Sequence, residues 1–147
     1  MTLVREIMTP NPAHLEHYST VAKAARLMKD GRFGALPVLE GGQLVGILTD
    51  RDLVVRAMAV GSGGETTVSS VMSTAVATAH PDDDVESLCR TMIEGSVRRV
   101  PVVDASGALV GIVSIGDVAR CAKSSSDPVL KELALSASDA ITEIPEH

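Results

Sequence analysis

Two tetrapeptides in this chain place a hydroxyl residue three positions before an aspartate, at Thr49–Asp52 (TDRD) and at Ser114–Asp117 (SIGD). With this spacing the hydroxyl caps a helix and the carboxylate accepts from the backbone N–H of the capping residue, which stabilises the helix start by about 0.5–2 kcal/mol. The same helix start offers N–H groups and a positive dipole end to an anion. An aspartate there can also accept hydrogen bonds from two adjacent hydroxyls, as on a ribose. Each tetrapeptide is therefore either a helix cap alone or a cap that also binds a ligand.

Glycines and arginines elsewhere in the chain have the chemistry of a phosphate-bearing ligand site. Gly46 and Gly111 lie just upstream of the tetrapeptides and leave room for a ligand against the backbone, although a glycine in a strand also marks a bulge. Arg98 and Arg99 are the only adjacent arginines, and guanidinium groups meet phosphate with fork geometry and permanent charge. The alternative for these arginines is a surface pair balanced by acidic neighbours such as Glu94. Both interpretations stay open.

Residues of other catalytic or metal-binding types lack partners at suitable spacing. His14 and His17 have no third ligand near them, so a metal site is not expected. Cys89 and Cys121 have no CxxC spacing, and they are either two buried thiols or a redox pair. The serines show no nucleophile-elbow pattern. The sequence therefore predicts no catalytic centre, no metal site and no required cofactor.

The composition narrows the class of protein and its partners. The 147 residues are 45% hydrophobic with one Tyr and one Phe, which supplies one sizeable core or two small ones but little aromatic stacking on bases. The net charge of −6 comes without a basic stretch, which argues against nucleic acid as a partner. The start lacks a basic segment before an apolar one, and no apolar run approaches the roughly 20 residues that span a bilayer. A cytoplasmic protein without a membrane partner is expected.

The sequence that forms the helices and strands around these residues occurs twice in the chain. Three segments recur in the same order, and the spacing changes by one residue only inside a Gly-containing turn, where insertions are tolerated. The recurring pairs are VREIM at Val4–Met8 with VSSVM at Val68–Met72, LPV at Leu36–Val38 with VPV at Val100–Val102, and LVGILT at Leu44–Thr49 with LVGIVS at Leu109–Ser114.

Each copy is predicted to contain a short apolar segment, a helix, two strands joined by a turn, and a second helix. The first helix of each copy carries an apolar stripe, which includes Met28 in the first copy and Met92 in the second. Asp83, three residues before Glu86, is the expected cap of the first helix of the second copy. The almost continuously apolar strands suit a sheet covered on both faces. The apolar segments are expected at 13–15 and 76–78, the strands at 35–39, 44–48, 99–103 and 109–113, and the second helices at 51–60 and 116–123.

The domain organisation follows from the duplication. The copies span residues 1–60 and 68–123, and the Gly-rich, polar stretch 61–67 links them. A tail occupies 124–147, with a short helix expected at Val129–Leu135. The fold class is therefore α/β (α+β).

The duplicated pattern resembles tandem cystathionine-β-synthase (CBS) repeats. The resemblance rests on an apolar residue before Met near the start of each copy, on ALPV or RVPV at the first strand, and on VGI followed by Thr or Ser and then Asp. It covers roughly residues 1–122, and the layout is similar to small stand-alone bacterial CBS-pair proteins of the hypoxic response protein type. The resemblance implies two β-α-β-β-α repeats, packed through their sheets about a pseudo-twofold axis, and a regulatory rather than a catalytic role.

The resemblance also implies two clefts for an adenosine-containing ligand such as AMP, ADP, ATP or S-adenosylmethionine. In the family the aspartate binds ribose, the hydroxyl residue lies on ribose or phosphate, and basic residues at the position of Arg98 and Arg99 often meet phosphate. The residues implied for the better cleft are Asn11, Ala13, Gly34, Ala35, Arg98, Arg99, Ile112, Ser114 and Asp117. Those implied for the second cleft are Ile47, Thr49 and Asp52. We expect the clefts to be unequal, because Gly34 and Ala35 replace the two arginines in the second.

The expected partners are an adenosine-type small molecule, a second copy of the chain in a homodimer, and a protein of unknown identity. One alternative is a structural or partner-binding dimer whose clefts stay empty. Another is a redox-responsive protein that uses Cys89 and Cys121.

Overall fold

The structure is a computed structural model that describes residues 1–142, and the end of the predicted tail, residues 143–147, lies outside the described residues. Its helices are α1 (Val4–Ile7), α2 (Val21–Gly31), α3 (Asp50–Asp52), α4 (Val85–Gly95), α5 (Ile115–Ser124) and α6 (Pro128–Thr142). A π-helical stretch at Leu53–Met58, here called the π segment, continues α3, and a 3-10 turn covers Val68–Ser70. The strands are β1 (Thr9–Pro10), β2 (Leu15–Glu16), β3 (Ala35–Glu40), β4 (Gln43–Thr49), β5 (Arg99–Val103) and β6 (Leu109–Ser114).

The strands form two three-stranded sheets, in the orders β1-β6-β5 and β2-β3-β4. The predicted mixed α/β class is confirmed, and each predicted hairpin strand ends within one residue of its expected bounds. The short segment predicted at 76–78 forms no strand. Instead Ala79 makes an isolated bridge to Val102, because only one residue there lies close enough to β5 to pair with it.

Side-chain caps begin the two long helices of the repeats. The Thr20 hydroxyl accepts the Lys23 N–H at 3.2 Å, which starts α2. The Asp84 carboxylate accepts the Ser87 N–H at 2.7 Å, which starts α4. The prediction that Asp83 caps α4 is therefore wrong by one residue, since Asp83 accepts the His80 N–H in the preceding turn.

The C-terminal helix α6 is longer than the short helix predicted for the tail. The Asp127 carboxylate accepts the Val129 N–H at 3.0 Å, and Pro128 opens the helix, the position where its missing N–H costs least. Leu130, Ala134 and Ala137 form a buried stripe on α6 at helical spacing. Within residues 1–142 no helix is long and apolar enough to cross a membrane.

The chain folds into two compact units, each with its own apolar core. The first unit comprises Met1–Pro12, Ala77–Ser106 and the chain from Val110 onward, and the second comprises Ala13–Val76 with Gly107–Leu109. The first core is built mainly from α4, β5, β6, α5 and α6, and the second from α2, β3, β4 and the π segment. The two cores match one of the two alternatives that the length and the hydrophobic fraction allow, namely two small cores.

The segment that opens each sequence repeat pairs with the hairpin of the other repeat. In the first unit β1 runs antiparallel to β6, with Thr9 opposite Ile112. In the second unit Ser73 bridges Ile47, and their two N–H to O distances are both 2.9 Å. The compact units therefore do not coincide with the duplicated stretches of sequence.

Two strand glycines make room for these exchanged segments. A Cβ on Gly111 would lie 2.5 Å from the Met8 sulfur and 3.1 Å from the Thr9 carbonyl oxygen. A Cβ on Gly46 would lie 2.5 Å from the Met72 sulfur and 2.9 Å from the Ser73 carbonyl oxygen. From the sequence, the space over each glycine is interpreted as room for a ligand. In the structure it is filled by a methionine side chain and by the carbonyl group of the residue after that methionine.

Candidate functional site

The predicted hydroxyl and aspartate of the first unit lie together at the start of α5. The Ser114 hydroxyl accepts the Asp117 N–H at 3.1 Å, and the Ser114 N–H donates to Asp117 Oδ2 at 2.8 Å. Both bonds are local, so the tetrapeptide folds into this geometry wherever a strand delivers Ser114 to a helix start. The cap predicted from the sequence is present.

The second unit repeats this arrangement at the start of α3. The Thr49 hydroxyl accepts the Asp52 N–H at 3.1 Å, and the Thr49 N–H donates to Asp52 Oδ2 at 2.9 Å. The helix that follows differs, because α3 passes into the π segment whereas α5 stays α-helical. π-helical turns are frequent at functional sites.

Each aspartate uses its second oxygen to pair with an arginine from its own helix. Asp117 Oδ1 accepts from Arg120 Nη2, one turn further along α5. Asp52 Oδ1 lies 3.7 Å from Arg56 Nε, four residues on, and Arg56 Nη1 also donates to the Met72 carbonyl at 3.3 Å. The aspartate side chains remain 17% and 12% exposed. The sequence interpretation missed both arginines, although their spacing from the aspartates is that of ion pairs on a helix.

Three further predicted residues surround the start of α5 in the first unit. The Arg98 carbonyl accepts the Ile115 N–H at 2.8 Å, so Arg98 contacts the first residue of the helix. Arg99 opens β5 with an exposed side chain. Ile112 precedes Ser114 in β6, opposite Thr9. The backbone of Arg98 therefore meets the capped end of α5, and Arg99 follows it as an exposed residue at the start of β5.

Asn11 lies at the edge of the same sheet. Its N–H donates to the Val110 carbonyl at 3.3 Å, and its φ of 47° is left-handed, a region that asparagine tolerates better than most residues. The strained backbone turns the chain out of β1 directly beside β6.

The remaining predicted residues belong to the second unit. The Gly34 carbonyl accepts the Asp50 N–H at 3.0 Å, and Ala35 lies opposite Thr49 in the sheet. Ile47 bridges Ser73, and Ala13 is exposed ahead of β2. Gly34 thus takes the place at the start of α3 that Arg98 takes at the start of α5.

The histidines pair with acids. His14 Nε2 lies 3.8 Å from Glu16 Oε1, and His17 Nε2 lies 3.7 Å from Glu40 Oε1. In the part of the chain that the structure describes, no three His, Cys, Asp or Glu side chains are grouped so that they could hold a metal ion.

The cysteines are both free thiols in the first unit. Cys89 is buried in the core and Cys121 is partly buried. Burial raises the pKa of the Cys89 thiol to about 11, and the nearby Cys121 and Glu86 add to the shift. Because the thiolate is the reactive form, this environment disfavours oxidation of Cys89 near neutral pH.

A cavity of about 370 Å³ in the first unit lies at the starts of α4 and α6, and its lining does not include Ser114 or Asp117. A hydrogen bond between the side chains of Glu86 and Asp127 raises the pKa of the Glu86 carboxyl there. None of the predicted ligand residues lines this cavity. Its lining is Met1, Thr2, Asp84, Val85, Glu86, Ser125, Asp127 and Leu130.

Comparison with known sequences finds the same duplication. The CBS domain family model matches residues 4–58 and again residues 68–124. The CBS domain-containing protein YhcV of Bacillus subtilis is 43% identical over 119 residues, which cover 81% of this chain and 84% of that protein. Hypoxic response protein 1 of Mycobacterium tuberculosis is 34% identical over 122 residues, which cover 82% of this chain and 85% of that protein.

Solved structures with this fold include complexes with adenosine-containing ligands. CBSX2, solved in complex with AMP, matches with a TM-score of 0.74 and 28% identity over 84% of this chain and 97% of its own. The CBS domain pair of protein MJ0100, solved with 5′-methylthioadenosine and S-adenosylmethionine, matches with a TM-score of 0.70 and 32% identity over 82% of this chain and 95% of its own.

Proposed function

The chain belongs to the CBS domain family, and from this premise we propose that it is a regulatory module that binds an adenosine-containing ligand, without catalytic chemistry of its own. AMP, ADP, ATP and S-adenosylmethionine are the candidate ligands, and the cytoplasm is the proposed compartment. The observation that carries the proposal is the hydroxyl–aspartate cap, built twice at a strand-to-helix junction, with 17% of the Asp117 side chain and 12% of the Asp52 side chain exposed.

The electrostatics of the caps support ribose as the group that the aspartates recognise. Oδ2 of each aspartate is committed to the cap, which fixes the direction of the carboxylate. Oδ1 is held only by an arginine on the partly exposed side, and a carboxylate oxygen can accept more than one hydrogen bond. Two adjacent ribose hydroxyls can therefore donate to a carboxylate that is already oriented.

The two units are proposed to bind with unequal affinity. Arg98 and Arg99 flank the cap of the first unit and can meet phosphate, whereas Gly34 and Ala35 occupy the corresponding places in the second. Asn11 and Ile112 are assigned to the stronger site with Ser114 and Asp117. The second unit, with Ile47, Thr49 and Asp52, is the weaker site.

A thermal-shift panel tests this function. AMP, ADP, ATP, S-adenosylmethionine and NAD are each added at millimolar concentration, and a ligand present at 100 times its Kd should stabilise the fold by about 2.7 kcal/mol. We expect at least one adenosine compound to raise the Tm by about 5–11 °C, with guanosine and inosine monophosphates as matched controls that do not. A panel in which no adenosine compound raises the Tm contradicts the proposal.

A second copy of the chain is the proposed partner in solution, with contact through the π segment. Val54 and Met58 are 58% and 76% exposed on this helical turn. The aligned residues of the other repeat, on α5 and directly after it, are small or polar, which is the ordinary composition of a solvent-facing helix surface. The apolar stripe is Val54, Val55, Met58 and Val60, and its counterparts are Ala119, Arg120, Lys123 and Ser125. A twofold contact sets a surface against itself, and an uncharged stripe meets its copy without like-charge repulsion.

Replacing Val54 by glutamate should shift the protein from dimer to monomer, raising the dimer Kd at least about tenfold because two like charges then meet across the twofold axis. Sedimentation velocity over a concentration series measures the shift. Ala119→Glu is the matched control, because it places the same charge at the corresponding exposed position of α5 and should leave the dimer intact. A monomeric wild-type chain, or an equal effect of both variants, would contradict the contact.

A further inference from the structure

Three arginines near the start of α5 align with uncharged residues of the other repeat, whose own arginines, Arg51 and Arg56, lie at other positions. Aligning the repeats places Arg98, Arg99 and Arg120 at the positions of Gly34, Ala35 and Val55. The residues assigned to nucleoside binding, in contrast, match closely between the repeats: Ile112 with Ile47, Ser114 with Thr49, and Asp117 with Asp52. The first unit therefore differs from the second in its arginines at these three positions, whereas the residues assigned to ribose binding are alike in both.

The Arg120 guanidinium lies folded back over the first turn of α5. Nη2 bonds to Asp117 Oδ1, and Nη1 lies 3.4 Å from the point that a Cβ on Gly116 would occupy. The Ser114 hydroxyl is 3.5 Å from the same point, so the guanidinium and the hydroxyl both lie close to Gly116 in the first turn. Arg120 thus brings its charge to the capped end of the helix.

The Arg120 side chain is held only weakly in this position. A cation at the N-terminal end of a helix opposes the helix dipole, and the carboxylate of Asp117 is what offsets that cost. The Arg120 side chain is 73% exposed, and exposed ion pairs contribute little to stability. Arg56 in the second unit has a further partner, because it also donates to the Met72 carbonyl at 3.3 Å.

We propose that Arg120 is a phosphate ligand of the first unit, which moves from Asp117 to the phosphate when a nucleotide binds. The move exchanges one anionic partner of Arg120 for another, and it frees Asp117 Oδ1 to accept hydrogen bonds from ribose hydroxyls. With Arg98 and Arg99, it makes the first unit selective for phosphorylated nucleosides over uncharged ones such as adenosine and 5′-methylthioadenosine. This inference rests on the proposed function and names the ligand class of its stronger site.

Titration calorimetry with AMP and with adenosine tests the assignment, on the wild-type chain and on Arg120→Gln. The glutamine variant should weaken AMP binding about tenfold, because a charge-assisted bond to phosphate is lost. Adenosine affinity should stay within about threefold, because ribose gains the oxygen that Arg120 leaves. Arg120→Lys should keep most of the AMP affinity. Lys123→Gln removes the same charge one turn away and should change neither ligand.

Each remaining outcome decides against Arg120 as a phosphate ligand. Equal weakening of AMP and adenosine in Arg120→Gln would make Arg120 a residue that only orients Asp117. Unchanged affinities for both compounds would make it a spectator, while binding of AMP by the wild-type chain would leave the proposed function standing. Failure of the wild-type chain to bind either compound would overturn the proposed function together with this inference.

Discussion

AMP binding should weaken about 100-fold when Asp117 is replaced by alanine, and no more than about twofold when Asp52 is replaced in the same way. The ribose hydroxyls donate to a charged acceptor at Asp117, and a hydrogen bond to a charged group contributes about 1.5–3 kcal/mol. Asp117 pairs with Arg120, and Arg98 contacts Ile115 at the same helix start, so loss of Asp117 affects the site proposed to hold the phosphate. Isothermal titration at constant ionic strength measures both affinities.

Asp52→Ala is a matched control for stability as well as for binding. Each aspartate accepts the N–H of its own capping residue, so each alanine removes one capping box and should lower the free energy of unfolding by about 1 kcal/mol. Similar losses of stability with very different losses of affinity would separate ligand binding from helix capping. If both variants bind AMP as the wild type does, the aspartates are caps alone. A larger loss in Asp52→Ala would reverse the ranking of the two units.

Local features of the fold could be predicted from the sequence because their causes are local. The duplication fixes the order of helix and hairpin in each copy, and the hydroxyl–aspartate spacing alone specifies both caps at Ser114 and Thr49. The cap of α4 was misplaced by one residue, since Asp83 and Asp84 are both acceptors and only the turn geometry decides between them. α6 was predicted too short, although Asp127 before Pro128 is a helix-start signal.

Pairings between distant parts of the chain could not be predicted. The local sequence patterns are equally compatible with pairing inside one copy and with pairing between the two copies. VREIM and VSSVM each precede a hairpin with the same VGI sequence, so the pattern does not state that each opening segment pairs with the hairpin of the other copy. The glycines of those hairpins are compatible with a ligand, a bulge or a packed side chain, and the structure has methionine there. Likewise, Arg56 and Arg120 lie at different distances from their aspartates, which obscures their common role in the repeat.

The methionine over each strand glycine predicts a large loss of stability on adding one methyl group. Overpacking of this kind costs about 1–3 kcal/mol. Gly46→Ala should be the more damaging change, because its Cβ would lie 2.9 Å from the Ser73 carbonyl, a backbone atom that must shift and break its pairing with Ile47. Gly111→Ala should cost less, because the methionine sulfur is equally close in both but the Thr9 carbonyl is 3.1 Å away and needs to give by only a few tenths of an ångström. Urea unfolding of the two variants measures the difference.

Double variants identify which atom causes each loss. Met8→Ala added to Gly111→Ala removes the sulfur 2.5 Å from the new methyl group, so the pair should be more stable than the two separate losses predict, by about 1 kcal/mol. Met72→Ala added to Gly46→Ala leaves the Ser73 carbonyl in place, so coupling there should be smaller even though the sulfur distance is the same. Equal coupling in both pairs would mean that the backbone of the exchanged segment yields as easily as a methionine side chain. The glycines would then accommodate the methionines without fixing the position of the segments that carry them.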